Sequence, residues 1–396
     1  MLLIIATFLV WILCFLLIVK FQIKLTKKLL IAGLLLYLIP ALYLPAIPDV
    51  ALWETVGVKS LEGIDFYSFD RPTHGTFPFF PLMIWPHTLF HLISRTTNIP
   101  FVLFVRLLVT IFIIGIVFLI GKIINNQLMA KKMQALFLFN PVILLVTALH
   151  GQVDMIVAFF VLLTIYLLII KKGSLLYSAI CYGVSILVKT WSVIFLPLFF
   201  SVLKKDLKLW SFAVLGTIFS FVLLYMLVFF ANPVYLAQAV LSAGGGPGFW
   251  GYTAVINLLS EIFPSTVHLS VLLGQFTALI LLPIFSLAYF YIFRKNLSLI
   301  DSVVFLLLAF LIFTPRWGLQ YSSWVLPFAA AAQFKNEINI YSLVASCYLA
   351  LSYSLLIIKD NLQIIEPLTN IAMLIGLITW CFLILWFVHI IKTRTN

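Results

Sequence analysis

Charged residues are scarce in this chain: Lys, Arg, Asp and Glu make up 9% of its 396 residues, whereas hydrophobic residues make up 64%. An average soluble domain is about 25% charged and about 45–50% apolar, so an ordinary water-soluble core is excluded. Apolar runs of roughly 20 residues recur along the whole length, and each can cross a bilayer as a helix. The sequence therefore predicts an all-α polytopic membrane protein that is surrounded by the lipid bilayer.

Cysteine is also rare. The four cysteines all lie inside apolar runs and are far apart, which indicates neither a disulfide framework nor a metal site. The net charge of +12 does not point to nucleic acid, because the lysines are spaced between apolar runs as topology signals are. We therefore expect no metal site built from these cysteines and no nucleic-acid partner, and no cofactor is expected.

The apolar runs predict about 13 transmembrane helices in one integral membrane domain that covers residues 1–396. The predicted spans are 2–19, 29–47, 101–121, 133–149, 155–170, 174–188, 191–203, 209–230, 267–293, 299–313, 321–334, 340–358 and 367–391. No positive residue precedes the first span and no small-residue cleavage site follows it, so a retained helix is predicted. Two long outer loops are predicted, at about 48–100 and about 231–266, and the glycine run of the second is interpreted as flexible.

The basic residues favour one orientation in the membrane. Of the 24 lysines and arginines, 17 lie in alternate loops and the C-terminal tail, and the positive-inside rule makes those segments cytoplasmic. The N-terminus is then outside and the C-terminus is cytoplasmic. Nine of the 12 acids fall on the outer side or at the outer membrane boundary, so the extracytoplasmic face is the predicted site of chemistry.

The scarce acids are unevenly distributed. Five of the 12 fall within 22 positions: Asp49, Glu54, Glu62, Asp65 and Asp70. Two interpretations are open, namely that these acids only solvate a loop, or that one of them abstracts a proton from an acceptor. Asp49 is the best candidate base, because it follows Pro48 directly after a predicted span that would fix it at the interface. A carboxylate partly withdrawn from water can be tuned as a general base.

Polar residues also stand out in the stretch HGQVDMIV, which begins at residue 150 between two predicted spans. His150, Gln152 and Asp154 are either helix caps, with Asp154 near a helix N-terminus, or a hydrogen-bonding patch that faces a substrate cavity. Two isolated cations, Lys189 and Arg316, lie at outer boundaries. Either they snorkel to lipid head groups, or they hold an anionic phosphate from the outer leaflet.

Four features between roughly residues 45 and 330 carry a resemblance. The first is Asp49 after an early span, followed by Gly63, Asp65 and Tyr67 and by the segment FPFFPLMIWP. The others are NPVILLVTALHGQVD, then Lys189 in a short turn before FLPLFF, and then PRWGLQYSSWVLPF. In this order and on this face, they resemble a polyprenyl-phosphate-sugar-dependent glycosyltransferase of the GT-C superfamily. The bacterial and archaeal homologues of the GPI mannosyltransferases and glycosyltransferase family 87 are the most similar groups.

The resemblance implies a GT-C-like helix bundle with long outer loops. It also implies a membrane glycosyltransferase, of the mannosyltransferase type, that moves a sugar with inversion from a polyprenyl-phosphate donor to a hydroxyl of a lipid or glycan acceptor. Asp49 would be the general base, and Lys189 and Arg316 would stabilise the charge that develops on the phosphate. Six residues would bind substrate: Asp65, His150, Gln152, Asp154, Gln320 and Tyr321.

The sequence departs from the family in two respects. Arg316 stands where relatives often have another residue, and the first span is an extra helix. Because of these departures, the resemblance does not determine the identity of the substrate. A transporter or a lipid or glycan flippase is the main alternative, although no inverted repeat is evident and the acids are not at midspan. A structural membrane subunit would explain the hydrophobicity but not the concentration of acids on the predicted outer side.

Overall fold

The computed structural model describes residues 2–70, 79–171, 174–241, 245–260, 262–263, 266–357 and 362–394. Nearly all of this part of the chain is helical. The α-helices are α1 (Leu2–Phe21), α2 (Lys27–Tyr43), α3 (Pro48–Leu61), α4 (Phe66–Asp70), α5 (Ile84–Thr97), α6 (Phe101–Ile123), α7 (Gln127–Leu138), α8 (Pro141–Leu144), α9 (Asp154–Ile169), α10 (Leu175–Val188), α11 (Leu196–Leu203), α12 (Leu207–Phe229), α13 (Pro233–Leu241), α14 (Gly251–Ser260), α15 (Val267–Gln275), α16 (Thr277–Lys295), α17 (Leu299–Phe313), α18 (Leu326–Ala331), α19 (Lys335–Ile357) and α20 (Leu362–Thr393). The described strands are β1 (Gly246–Pro247) and β2 (Arg316–Trp317), which pair antiparallel.

Six of the described helical segments are long and apolar enough to cross a membrane. They are Leu3–Phe21, Phe101–Ile123, Thr190–Phe229, Thr277–Lys295, Lys335–Ile357 and Pro367–Thr393. A further pair, Gln127–Leu138 with Pro141–His150, qualifies when its two helices are taken as one span, and it is bent by 42°. These helices support the predicted all-α, multi-pass membrane protein, whereas the number of 13 spans stays a prediction.

The bend in that pair corrects the predicted continuous span 133–149. α7 ends at Leu138, and α8 begins anew at Pro141 after Asn140, whose side chain accepts a hydrogen bond from Val142 N at 3.0 Å. Proline has no N–H to continue the first helix, and it suits the first position of the next one. The second helix then ends in a π-helical turn, Leu145–His150.

The described chain divides into two compact units. The terminal unit comprises residues 1–30, 126–146 and 244–396, and the central unit comprises 31–125 and 147–243. In the terminal unit α19 packs on α20, and α17 packs on both α16 and α20. In the central unit α10 packs between α9 and α12, α6 packs on α9, and α3 packs on α5. The predicted single membrane domain stays a prediction.

Where it is described, the segment 48–100 is largely helical, which corrects its interpretation as a long loop. α3 buries Val50, Trp53 and Val56 on one face, at helical spacing, and this face packs against α5. The two backbones approach closely, since a Cβ atom added at Gly57 would lie 2.6 Å from the carbonyl oxygen of His87. The acids of α3 lower the mean hydropathy of the segment, so a search for apolar runs does not detect this amphipathic helix.

The His87 ring fills the interface between these two helices. It stacks on Trp53 with ring centroids 5.3 Å apart. Burial lowers the pKa of His87 to about 3, so the ring is neutral at physiological pH.

The second predicted loop, 231–266, is also structured where it is described. It contains α13, α14 and β1, and the strand pairs Gly246 with Trp317. A Cβ atom at Gly245 would lie 2.0 Å from the carbonyl oxygen of Trp317, so glycine is required for this close approach. The Trp250 and Trp317 rings stack with centroids 3.7 Å apart. The described part of the glycine run therefore packs closely against the backbone of Trp317, which corrects its interpretation as flexible.

Candidate functional site

Asp49 lies in the first turn of α3, after Ile47 at the N-cap and Pro48 at the first helical position. The preceding helix ends at Tyr43, so Asp49 does not directly follow a membrane span as predicted. Its position is fixed by the start of a new helix, where the backbone N–H groups and the helix dipole favour a carboxylate. The Asp49 side chain is 50% exposed.

Two buried side chains hold one oxygen of this carboxylate. His150 Nε2 lies 3.0 Å from Asp49 Oδ2, and Gln152 Nε2 donates to the same oxygen at 2.7 Å. Gly151 stands between the two donors with φ +83°, a conformation that glycine adopts without strain. His150 and Gln152 are 3% and 2% exposed. The structure thus brings together three of the predicted site residues and leaves Asp49 Oδ1 outside these contacts.

The geometry of this cluster determines which of its atoms donate a hydrogen bond. His150 Nε2 also lies 2.9 Å from Gln152 Nε2, but it cannot donate to Asp49 and accept from Gln152 at the same time. An anionic Asp49 needs a donor at this position, so the imidazole of His150 carries a proton on Nε2. Gln152 Oε1 is then buried with no hydrogen-bond partner among the described residues.

These contacts determine the protonation of Asp49. Partial removal from solvent raises the pKa of Asp49, but four effects oppose it: the hydrogen bond from His150, the positive charges of His150 and Lys189, and the hydrogen bond from Gln152. Together they hold the pKa below its ordinary value of 3.8. The carboxylate is therefore ionised at physiological pH and available as a base.

Asp154 and Lys189 form an ion pair beside this cluster. Asp154 opens α9 and is fully buried, and Lys189 Nζ donates to its Oδ2 at 3.0 Å. Lys189 is the extended residue between α10 and the 3₁₀ helix Thr190–Phe195, and its ammonium also lies 5.3 Å from the centroid of the Phe79 ring. Asp154 thus lies in a first helical turn and also pairs with Lys189, the residue predicted to bind the phosphate. Its role in binding substrate stays a prediction.

Arg106 is a site neighbour that the sequence analysis missed. It is 1% exposed, and its guanidinium donates to the carbonyls of Ala41, Leu44, Pro45 and Leu149. One sequence signal could have identified it, since Arg106 is the one charged residue in the predicted span 101–121. An ionisable residue inside a membrane span is a functional candidate by default.

Asp65 lies in the central unit with contacts of its own. Its Oδ1 accepts from the Tyr225 hydroxyl at 2.8 Å and from Tyr67 N, and its Oδ2 accepts from the Ser68 hydroxyl at 2.7 Å. Asn232 N lies 3.4 Å from Oδ2. Asp65 therefore caps α4 and attaches it to the end of α12, and substrate binding by this residue stays a prediction.

The other acids of the cluster fit the solvated interpretation. Glu62 is 46% exposed and pairs with Lys59 at 2.7 Å within α3. Glu54 is 45% exposed and lies 3.6 Å from His91 Nδ1. The side chain of Asp70 lies outside the described part of the chain.

The remaining predicted site residues belong to the terminal unit. Arg316 pairs through its backbone with Pro247, and its buried Nε has no hydrogen-bond partner among the described residues. Gln320 and Tyr321 lie in the 3₁₀ helix Leu319–Ser323, where Tyr321 is buried and its ring centroid is 4.3 Å from that of Trp324. Their roles in binding stay predictions.

Among the described residues, no group of three or more His, Cys, Asp and Glu side chains is arranged to hold a metal ion. No family model matches the chain, and no curated protein or solved structure matches it either.

Proposed function

We propose that the protein is a membrane glycosyltransferase of the mannosyltransferase type, with a polyprenyl-phosphate sugar as donor and Asp49 as general base. One observation carries the proposal: two buried donors hold Asp49 Oδ2, while the side chain is half exposed and Oδ1 is outside their contacts. A general base needs this combination of a fixed orientation, an ionised state and an oxygen that a substrate can reach.

The proposed reaction is a displacement at the anomeric carbon. The acceptor hydroxyl gives its proton to Asp49 Oδ1 while its oxygen bonds to the anomeric carbon. The bond from that carbon to the donor phosphate oxygen breaks, its electron pair leaves with the polyprenyl phosphate, and the configuration inverts. Gln152, which donates to Asp49 Oδ2 at 2.7 Å, keeps its proposed role in binding substrate.

The phosphate is the proposed ligand of Lys189. The Lys189 ammonium is 11% exposed and already pairs with buried Asp154, so a phosphate would share this cation rather than meet an isolated charge. A fixed cation stabilises charge that develops on a leaving group. Arg316, Gln320 and Tyr321 keep their proposed roles in binding phosphate or sugar.

The proposed reaction takes place at the extracytoplasmic face. Single cysteines at Ile64 and Lys205, both on exposed positions, test this orientation with an impermeant thiol reagent on intact cells. Labelling at position 64 but not at position 205 is expected. Equal labelling at both positions would contradict the orientation.

A label-transfer assay tests the activity. The purified protein in lipid nanodiscs is given polyprenyl-phosphate mannose with a radiolabelled sugar, together with a membrane lipid and glycan extract. We expect label in an acceptor product with stoichiometric release of polyprenyl phosphate. In proteoliposomes, movement of the intact donor between leaflets without transfer would instead identify a flippase and exclude the proposal.

A further inference from the structure

Two of the four guanidinium contacts of Arg106 have a sequence cause. In a helix, the carbonyls of Ala41 and Leu44 would accept from the N–H groups four residues later, but those positions are Pro45 and Pro48. Proline has no N–H, so both carbonyls at the end of α2 lack their helical donors. Arg106 Nη1 replaces those donors, at 3.1 Å from Ala41 O and 2.9 Å from Leu44 O.

The other terminal nitrogen of Arg106 joins a second chain segment. Its Nη2 donates to Pro45 O at 2.8 Å and to the carbonyl of Leu149, at the end of the π-helical turn. All four terminal N–H groups thus have an acceptor, and the cation lies where two helices end, which suits the helix dipoles. The guanidinium is a buried cross-link between segment 41–45 and residue 149.

Each of these two segments leads directly into the candidate site. Pro45 is four positions before Asp49, and Leu149 immediately precedes His150, whose Nε2 meets Asp49 Oδ2 at 3.0 Å. The stem of Arg106 also borders the turn itself, since a Cβ atom at Gly151 would lie 3.6 Å from Arg106 Cγ.

We propose that Arg106 is a positioning residue that fixes the distance between the Asp49 carboxylate and its two donors. It acts through the backbone of both segments and does not itself touch the reacting atoms. Lysine cannot replace it, because one ammonium has three donors on a single nitrogen and cannot reach the four carbonyls that the planar fork reaches. The catalytic part of this role rests on the proposed function, whereas the geometric part does not.

The test compares Arg106→Met and Arg106→Lys with Thr110→Val. Thr110 is one turn further along α6 and donates to the carbonyl of Arg106 at 2.8 Å, so its replacement perturbs the same helix without touching segment 41–45 or residue 149. The first readout is an infrared titration of the Asp49 carboxyl group in nanodiscs, assigned by its loss in Asp49→Asn. This readout needs no substrate.

Loss of Arg106 should release Asp49 from His150 and Gln152, so the titration midpoint moves to higher pH in both Arg106 variants but not in Thr110→Val. The kcat for sugar transfer should fall on the order of 100-fold, as expected for a displacement of about 1 Å, with little change in the donor KM.

An unmoved midpoint in a folded Arg106 variant would overturn the proposal. So would the loss of a monodisperse protein in both variants, because Arg106 would then serve folding alone. If the midpoint shifts but the wild-type protein transfers no sugar, Arg106 remains a positioning residue. The proposed glycosyltransferase activity is then excluded.

Discussion

Two aspartates of the same acidic segment have opposite surroundings. Asp65 precedes α4, and both of its oxygens accept hydrogen bonds, from Tyr225 and Ser68 among others. Asp49 lies at the start of α3, its two donors meet one oxygen and leave the other outside their contacts, and the side chain is half exposed. The comparison teaches that a carboxylate at a helix start serves structure when both oxygens are occupied, and can serve chemistry when one is open.

The two cations that were predicted to bind phosphate also differ in whether their nitrogens have partners. Lys189 is paired with Asp154 at 3.0 Å, whereas Arg316 has a buried Nε without a hydrogen-bond partner in the described part of the terminal unit. Replacement of Lys189 therefore affects stability as well as any ligand.

The largest expected effect separates Asp49 from its acidic neighbours. Asp49→Asn keeps the size of the side chain but removes the base, and general-base assistance typically contributes about 10²–10⁴-fold. Transfer should fall by at least about 100-fold, as measured by initial rates of label transfer. Glu54→Gln is the matched control and should keep most of the activity, since its carboxylate is 45% exposed. A folded Asp49→Asn variant with wild-type turnover would exclude Asp49 as the base.

The next effect concerns the buried ion pair. Lys189→Met leaves Asp154 buried without its cation, which should lower the free energy of unfolding by about 3–5 kcal/mol. Denaturant unfolding in detergent measures this change. The double variant Lys189→Met, Asp154→Leu should recover much of the loss, because neither charge is then buried alone. Equal stabilities of the single variant and the wild type would show that the pair is not formed.

A smaller loss is expected at the capping aspartate. Asp65→Ala removes the cap of α4 and the partner of the Tyr225 hydroxyl, and loss of such a cap typically costs about 0.5–2 kcal/mol. Thermal unfolding should detect this decrease while kcat for transfer in the folded protein changes little. A loss of kcat as large as that of Asp49→Asn, at unchanged stability, would place Asp65 in the chemistry and remove the contrast between the two aspartates.

The smallest effect concerns pH. Gln152→Leu removes one donor to Asp49 Oδ2, so the pKa of Asp49 should rise from its lowered value. The acid limb of the kcat/KM profile should move to higher pH, because the base must be ionised. The stability that Asp49 contributes is present above its ordinary pKa of 3.8 and is lost as the pH falls through the lowered pKa, so the variant should lose it at higher pH. An unmoved acid limb would exclude Asp49 as the titrating base.

The sequence predicted some parts of this arrangement because they depend on local properties. Asp49, His150 and Gln152 were singled out as polar residues at the boundaries of apolar runs, and the structure brings the three together. The packing of α3 on α5 was not predicted. A hydropathy profile averages over both faces of a helix, so an amphipathic helix with acids on one side has no apolar run.

The sequence by itself determined that this is an all-α membrane protein, since transfer of apolar side chains into lipid depends on composition within one helix length. It did not determine where the helices are interrupted, although Pro45 and Pro141 lie at such interruptions. Pro40, Pro283 and Pro367 lie inside helices, so a proline does not by itself locate a break. Only the tertiary structure decided which polar groups meet. Asp49 and His150 are 101 positions apart, and Arg106 and Ala41 are 65 apart. Over such separations the choice of a hydrogen-bond partner depends on how the helices pack, because a buried donor or acceptor must be satisfied by whichever group packing places beside it.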